Sequence, residues 1–109
     1  MADPQPRAVY KVCSVHEWRE ATATGTYCGS AVDLRDGFIH LSTGVQLEET
    51  LRRHFAGQHD LVLVEIDPVD LGDALRWEPS RGGELFPHLY GNLTVSLARR
   101  VSPVQLPSG

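Results

Sequence analysis

Two histidines in this sequence lie in segments whose residues are suited to binding an anion or transferring a proton. His40 stands in the run DGFIHLST (36–43), inside a short apolar strand followed at once by hydroxyl side chains at a predicted helix start. The free N–H groups and the dipole of a helix N-terminus attract negative charge. His40, Ser42 and Thr43 are therefore candidates to bind a phosphate, a ribose hydroxyl or a carboxylate. The alternative is a core histidine bonded to a backbone carbonyl, with Thr43 merely capping the helix.

The second segment, residues 77–91, combines a pair of glycines with Ser80, Arg81, His88 and Tyr90. Glycines let backbone N–H groups approach a ligand closely, and an arginine fork matches a phosphate group. The segment lacks the GxxxxGK[ST] pattern of a nucleotide-binding P-loop. It is either a second part of an anion site or an ordered connection with packed aromatic side chains.

The spacing of the histidines and of the cysteines does not indicate a metal site or a reactive thiol. The five histidines show no i,i+4 pair of the kind that binds a metal on a helix, so we expect no metal site. Cys13 and Cys28 form no CxxC motif, and we predict reduced thiols.

Length and charge exclude several classes of protein. A chain of 109 residues suits one domain with one core. No window holds the ~20 apolar residues of a membrane helix, and the start MADPQPR lacks the apolar region of a signal peptide, so we expect a cytoplasmic protein. A net charge of −4 argues against non-specific nucleic-acid binding. Only Lys11 among the ten basic residues is a lysine.

Periodicity and capping signals predict the elements that position these residues. We expect a disordered tail at 1–7 and a single α+β domain at 8–106. The domain is predicted to contain small, mixed or mostly antiparallel sheets and two helices. The predicted elements are a strand at 9–13, a helix at 15–23 with a Ser14/Glu17 capping box, a loop at 26–37, a strand at 38–41, a helix at 44–56 with a Thr43/Gln46 capping box, and strands at 61–66, 75–78, 86–90 and 93–101. Trp18 and Trp77 are expected in the core.

Five ordered motifs together resemble one known family. They are GxYxGS (25–30), DGFIHLST (36–43), HFAG (54–57), LxWExSRGG (75–83) and FPHLYG (86–91). They closely resemble the small bacterial domain-of-unknown-function 952 family, over nearly all of the chain from Val9 to Leu106. That family has no established biochemical role, so this resemblance implies no particular activity.

A more distant resemblance covers about half of the chain. The strand with Lys11, the helix with Trp18, Gly25 and the run IHLS (39–42) are similar to the opening blocks of RNA 2′-phosphotransferases and other ADP-ribosyltransferase-like domains. The resemblance implies a split, curved pair of small sheets around a cleft for NAD. By position, Lys11 replaces a histidine that contacts the adenosine ribose, and His40 matches a residue near the nicotinamide. An ammonium group there cannot accept a hydrogen bond from a ribose hydroxyl, but it can pair with a pyrophosphate.

Three functional hypotheses remain open. The first is an ADP-ribosyltransferase-like enzyme or nucleotide-binding domain that holds a phosphate-bearing small ligand, with NAD as the candidate cofactor. The second is a non-enzymatic ligand-binding or partner-binding module on the same fold. The third is a hydrolase or isomerase with Asp33 or Asp36 orienting a histidine. For the first hypothesis the candidate catalytic residues are His40 and His88, and the candidate ligand-binding residues are Lys11, Ser42, Thr43, Ser80, Arg81 and Tyr90. The sequence indicates no protein partner.

Overall fold

The computed structural model describes residues 7–80 and 82–104, which fold into three antiparallel sheets and three α-helices. Residues 1–6 of the predicted tail, and the candidate residue Arg81, lie outside the described residues. The elements are β1 (Val9–Ser14), α1 (Val15–Thr24), β2 (Thr26–Tyr27), α2 (Ala31–Asp36), β3 (Ile39–His40), β4 (Ser42–Thr43), α3 (Gly44–His54), β5 (Leu61–Ile66), β6 (Leu75–Ser80), β7 (Glu84–Leu89), β8 (Leu93–Thr94) and β9 (Ala98–Pro103), with 3-10 helices at Pro68–Ala74 and Val95–Leu97.

The strands form a four-stranded sheet in the order β4-β1-β5-β9, a three-stranded sheet in the order β3-β7-β6, and the pair β2-β8. In the three-stranded sheet His40 lies opposite His88, which in turn lies opposite Arg76. The predicted α+β class with antiparallel sheets is therefore confirmed. The strand register therefore aligns the side chains of His40, His88 and Arg76 across the three strands.

Helices α1 and α3 begin where their capping signals predict. Ser14 Oγ accepts the Glu17 N–H at 2.9 Å, and the Glu17 carboxylate accepts the Ser14 N–H at 3.1 Å. Thr43 and Gln46 form the same reciprocal pair at the start of α3. Each box satisfies two backbone donors that a helix start leaves without partners.

The predicted loop over residues 26–37 and the prediction of two helices are wrong. Residues Ala31–Asp36 form α2, with a capping box between Ser30 and Asp33 and a left-handed Gly37 (φ 87°) after its last turn. The local signals for this helix are present in the sequence. Six residues are too few to show a helical hydrophobic period, however, and so short a helix depends on tertiary contacts.

The predicted single strand over 93–101 is also wrong. The chain pairs with β2 as β8, turns through Val95–Leu97, and joins the larger sheet beside β5 as β9. Strand β6 does not stop at Pro79 but continues to Ser80. It is an edge strand, where a missing N–H on the open side is tolerated.

One apolar core joins the sheets to α1. It draws buried side chains from β1, α1, β2, β3, β5, β7 and β8, among them Val9, Trp18, Ile39, Val64, Leu89 and Leu93. Trp18 is buried as expected, whereas Trp77 is half-buried and packs against the edge of the core. Among the described residues no helix is both long and apolar enough to cross a membrane.

Candidate functional site

One face of the three-stranded sheet collects polar and aromatic side chains, and we call it the two-histidine face. Side chains two residues apart on a strand point to the same side of its sheet. The strand pairs His40–His88 and His88–Arg76 therefore define one face, while Ile39 and Leu89 point to the opposite face and into the core. The members of the two-histidine face are Phe38, His40, Arg76, Glu78, His88 and Tyr90.

His88 is held by a carboxylate from the neighbouring strand. Its Nδ1 lies 2.7 Å from Glu78 Oε1, and the Tyr90 hydroxyl donates to the same oxygen at 2.8 Å. The His88 side chain is buried, whereas Glu78 and Tyr90 are half-buried. The shared acceptor fixes the imidazole and the phenol relative to each other.

His40 lies between two carboxylates supplied by α2. Its Nδ1 is 2.6 Å from Asp33 Oδ1, and its Nε2 is 3.0 Å from Asp36 Oδ2. Asp33 is buried, whereas Asp36 and the His40 ring both reach solvent. Each ring nitrogen of His40 therefore faces a carboxylate oxygen. Both ring nitrogens can donate at once only when the ring is the imidazolium cation.

Lys11 lies on the core-facing side of β1, and its side chain extends to His40 and Asp33. Its Nζ lies 2.7 Å from Asp33 Oδ2 and 3.1 Å from the backbone oxygen of His40. The lysine is 4 % exposed, which is unusual because charged side chains are almost never fully buried unless paired. The sequence-predicted residues Lys11, His40, His88 and Tyr90 thus lie close together, with Lys11 beneath the others.

Phe38 covers the two imidazoles. Its ring stacks on His88 with centroids 4.0 Å apart and an interplanar angle of 25°, and its centroid lies 4.6 Å from that of His40. The Tyr90 ring centroid lies 5.2 Å from that of Phe38, and the Arg76 guanidinium lies over the Tyr90 ring, 4.8 Å from its centroid. The outer surface of the face is therefore a patch of aromatic rings with a cation at its edge.

The contacts set the charge of each acid on this face. Burial alone would raise the pKa of the Asp33 carboxyl, but the hydrogen bond from His40 and the charge of Lys11 outweigh burial and hold the pKa well below its ordinary value. Hydrogen bonds from His88 and Tyr90 lower the pKa of Glu78, and the same bond raises the pKa of Tyr90. At neutral pH both carboxylates are ionised and the phenol keeps its proton.

The other predicted ligand-binding residues make their contacts elsewhere. Ser42 is buried, and its Oγ lies 2.9 Å from Thr50 Oγ1. Thr43 caps α3. Ser80 lies on β6 four residues beyond Arg76, about 13 Å along the strand. The structure does not gather these hydroxyls around His40.

Thiol chemistry finds no support at the buried cysteine. Burial raises the pKa of the Cys13 thiol to about 12, so the thiol keeps its proton at neutral pH and is a poor nucleophile. Among the described residues no group of three or more His, Cys, Asp and Glu side chains is arranged to hold a metal ion.

A shallow cavity of about 190 Å³ opens beside the two-histidine face. It shares Asp33 and Phe38 with the site and extends toward Gly91 and Asn92. Pockets that enclose a small molecule usually measure about 300–1,000 Å³. The cavity therefore suits one ring or one phosphate group, with the rest of a larger ligand lying on open surface.

Sequence reasoning missed three members of the face, Phe38, Arg76 and Glu78, and gave too little weight to Asp33, which holds His40 from α2. Phe38 stands two residues before His40, and Arg76 lies opposite His88. Glu78 follows Arg76 by two residues on the same strand and holds His88. Asp33 was predicted only as one of two alternative carboxylates, with Asp36, for orienting a histidine ring. Its signal is the Ser-x-x-Asp capping box, which places a carboxylate in the first turn of α2.

Comparisons with known proteins place the chain in a family. The family profile described as protein of unknown function (DUF952) matches residues 12–101. The crystal structure of protein CC0527 from Caulobacter crescentus is 50 % identical, with a TM-score of 0.90 over 93 % of this chain and 89 % of that one. The solution NMR structure of CC0527 is 49 % identical, with a TM-score of 0.84 over 94 % and 88 %. A search of curated proteins found none that matches. The chain therefore belongs to the DUF952 family of proteins of unknown function.

Proposed function

We propose that the two-histidine face binds a nucleotide or another phosphate-bearing small ligand. The observation that carries the proposal is the pair of imidazoles, 5.6 Å apart between centroids, each held at Nδ1 by an ionised carboxylate. A carboxylate on one ring nitrogen fixes the ring and directs the other nitrogen toward a ligand or a reacting group.

His40 Nε2 is the proposed anion contact. In the free protein an Asp36 carboxylate oxygen lies 3.0 Å from this nitrogen, so an anionic oxygen fits the position. Asp36 is on the exposed end of α2 and also pairs with Arg35. A ligand phosphate takes the place of Asp36 at His40, while Asp36 keeps its bond to Arg35.

The aromatic rings are the proposed contact for the base or sugar of the ligand. Phe38 and Tyr90 are both half-buried, and their ring centroids lie 5.2 Å apart. Base–aromatic stacking contributes about 1–3 kcal/mol per base in nucleic-acid complexes. The Arg76 guanidinium over Tyr90 adds a positive charge beside the same surface.

If the bound ligand reacts, proton transfer by His40 or His88 is the chemistry that the face supplies. Histidine is the most frequent general acid or base in enzymes, and a carboxylate bonded to one ring nitrogen orients the other. The similarity to ADP-ribosyltransferase-like domains suggests NAD as one ligand and ADP-ribosyl transfer as one reaction. The cavity beside Phe38 is too small to enclose a dinucleotide, so we assign no reaction step to NAD.

Titration of the ¹⁵N-labelled protein with ADP-ribose, NAD and inorganic phosphate tests the proposal. We expect chemical-shift changes at His40, Phe38 and Tyr90, and loss of binding in His40→Ala with the fold retained. The matched control is His59→Ala, which removes an exposed histidine outside the face and should bind as the wild type does. If none of these ligands binds below millimolar concentration, the proposal fails.

Incubation of the protein with NAD separates an enzyme from a binding module. We propose the non-enzymatic module as the second candidate, because Lys11 is buried where the resemblance implies a ligand contact. Bound NAD recovered unchanged after prolonged incubation supports the module. Release of nicotinamide supports transfer chemistry instead.

A further inference from the structure

We propose that Asp33 is the positioning residue of the two-histidine face. It keeps a hydrogen on His40 Nδ1, so that Nε2 at the exposed side is the nitrogen that takes up a proton and contacts an anion. Lys11 holds Asp33 in place. The effect on ligand binding rests on the proposed function, whereas the tautomer in the free protein does not.

The first argument is the number of donors that meet at Asp33. Oδ2 accepts from Lys11 Nζ at 2.7 Å and from the Ser30 N–H at 2.9 Å, and Oδ1 accepts from the His40 N–H at 3.1 Å. The fourth contact is His40 Nδ1, 2.6 Å from Oδ1. An ionised carboxylate has about four acceptor sites and no proton to donate. Nδ1 must therefore carry the hydrogen in this contact.

The second argument is that the same ion pair also fixes the backbone of His40. The His40 N–H is bonded to Asp33 and its carbonyl oxygen to Lys11, so both point away from β7. His40 and His88 therefore form a non-hydrogen-bonded antiparallel pair, the type in which side chains approach more closely. The ion pair thus sets the position of the strand as well as the orientation of the ring.

The third argument explains the single lysine. Lys11 is surrounded by core residues, and its ammonium meets one carboxylate oxygen and one carbonyl oxygen. An arginine at this position brings a planar group with five N–H donors, more than this buried space can satisfy. The lone lysine among nine arginines therefore stands where a compact cation is required.

The wild-type protein gives the first test, with no substitution and no ligand. Long-range ¹H–¹⁵N correlation spectra at alkaline pH assign the protonated nitrogen of each histidine. We expect His40 as the Nδ1–H tautomer, in contrast to the exposed His59, which should show the Nε2–H form that a free histidine side chain favours. A predominant Nε2–H tautomer at His40 overturns the proposal.

Two isosteric variants give the second test. Asp33→Asn places an amide where four donors converge, and we expect the His40 tautomer to lose its preference. Asp36→Asn changes the exposed carboxylate at Nε2, and we expect the Nδ1–H tautomer to persist. An unchanged tautomer in Asp33→Asn, or a lost one in Asp36→Asn, assigns the orienting role elsewhere. If Asp33→Asn does not fold, the wild-type spectrum still decides the proposal.

Ligand titration of the folded variants separates this inference from the proposed function. If the wild type binds ADP-ribose, we expect at least a tenfold loss of affinity in Asp33→Asn and a gain in Asp36→Asn, because Asp36 competes for Nε2. If the wild type binds none of the ligands, the proposed function fails while the tautomer result stands by itself.

Discussion

At the scale of single residues, the site depends on a charge that the sequence places in an apolar strand. Lys11 lies on β1 between Val9 and Cys13 on the same side of the strand, and both neighbours belong to the core. A positive charge there is stable only because Asp33 supplies the opposite charge within 2.7 Å. Because Asp33 also bonds His40, the pair connects the core-facing side of the larger sheet to the two-histidine face of the smaller sheet.

Replacing Lys11 by methionine should destabilise the protein by about 3–5 kcal/mol, because the substitution leaves the Asp33 carboxylate buried without its counter-charge. Urea denaturation followed by circular dichroism measures the loss. The control is Arg35→Met, which breaks the exposed pair with Asp36 and should leave the denaturation midpoint unchanged. Equal effects of the two substitutions would contradict the structural role of Lys11.

Acid should remove the contribution of Asp33 to stability. Its pKa in the folded protein lies below the ~3.9 of an unfolded aspartate, so the unfolded chain binds more protons in acid. Asp33 therefore stabilises the fold above about pH 4 and loses this contribution as the pH falls below that value. The NMR shift of its carboxyl carbon reports the titration directly. A midpoint near ~3.9 in the folded protein would contradict this expectation.

At the scale of elements, α2 positions the site although it is the shortest α-helix described. Its first turn carries Asp33, its last residue is Asp36, and His40 follows four residues later on β3. The capping box of Ser30 and Asp33 thus serves two purposes at once. It starts the helix, and it fixes the carboxylate that bonds His40.

Removal of this cap should therefore affect more than the helix. Ser30→Ala is expected to cost about 1 kcal/mol of stability, as N-cap losses usually do, and also to shift the NMR signals of the His40 ring. Thr43→Ala removes the equivalent cap of α3 and is the matched control. It should cost a similar amount and leave the His40 ring signals unchanged. Identical spectral changes in both variants would show that α2 has no special connection to the site.

The elements that sequence reasoning predicted well are those with two independent signals. Helices α1 and α3 combine a capping box with an apolar face, and both start at the predicted residue. Helix α2 has the cap alone and was missed. The junction at Val95–Leu97 was missed because the alternation of side chains does not reveal that the chain moves from one sheet to another.

At the scale of the whole molecule, the sequence predicted which histidines belong to the candidate site but not how they are brought together. His40 and His88 stand in motifs that mark them as candidates, but nothing local reveals that they face each other across β3 and β7. That pairing spans 48 residues of chain and depends on strand register, which tertiary packing decides. The contact between Lys11 and Asp33 joins the larger sheet to helix α2 and was equally hidden.

The core beneath the smaller sheet should be the main source of stability for the whole molecule. Trp18→Ala removes a side chain that is 7 % exposed and is expected to cost about 3–5 kcal/mol, lowering Tm by about 12 °C or more in a domain of this size. Trp77 is half-buried on the core side of β6, so Trp77→Ala should cost clearly less. Thermal unfolding followed by circular dichroism compares the two. A larger loss at Trp77 would mean that the edge strand β6, and not α1, closes the core.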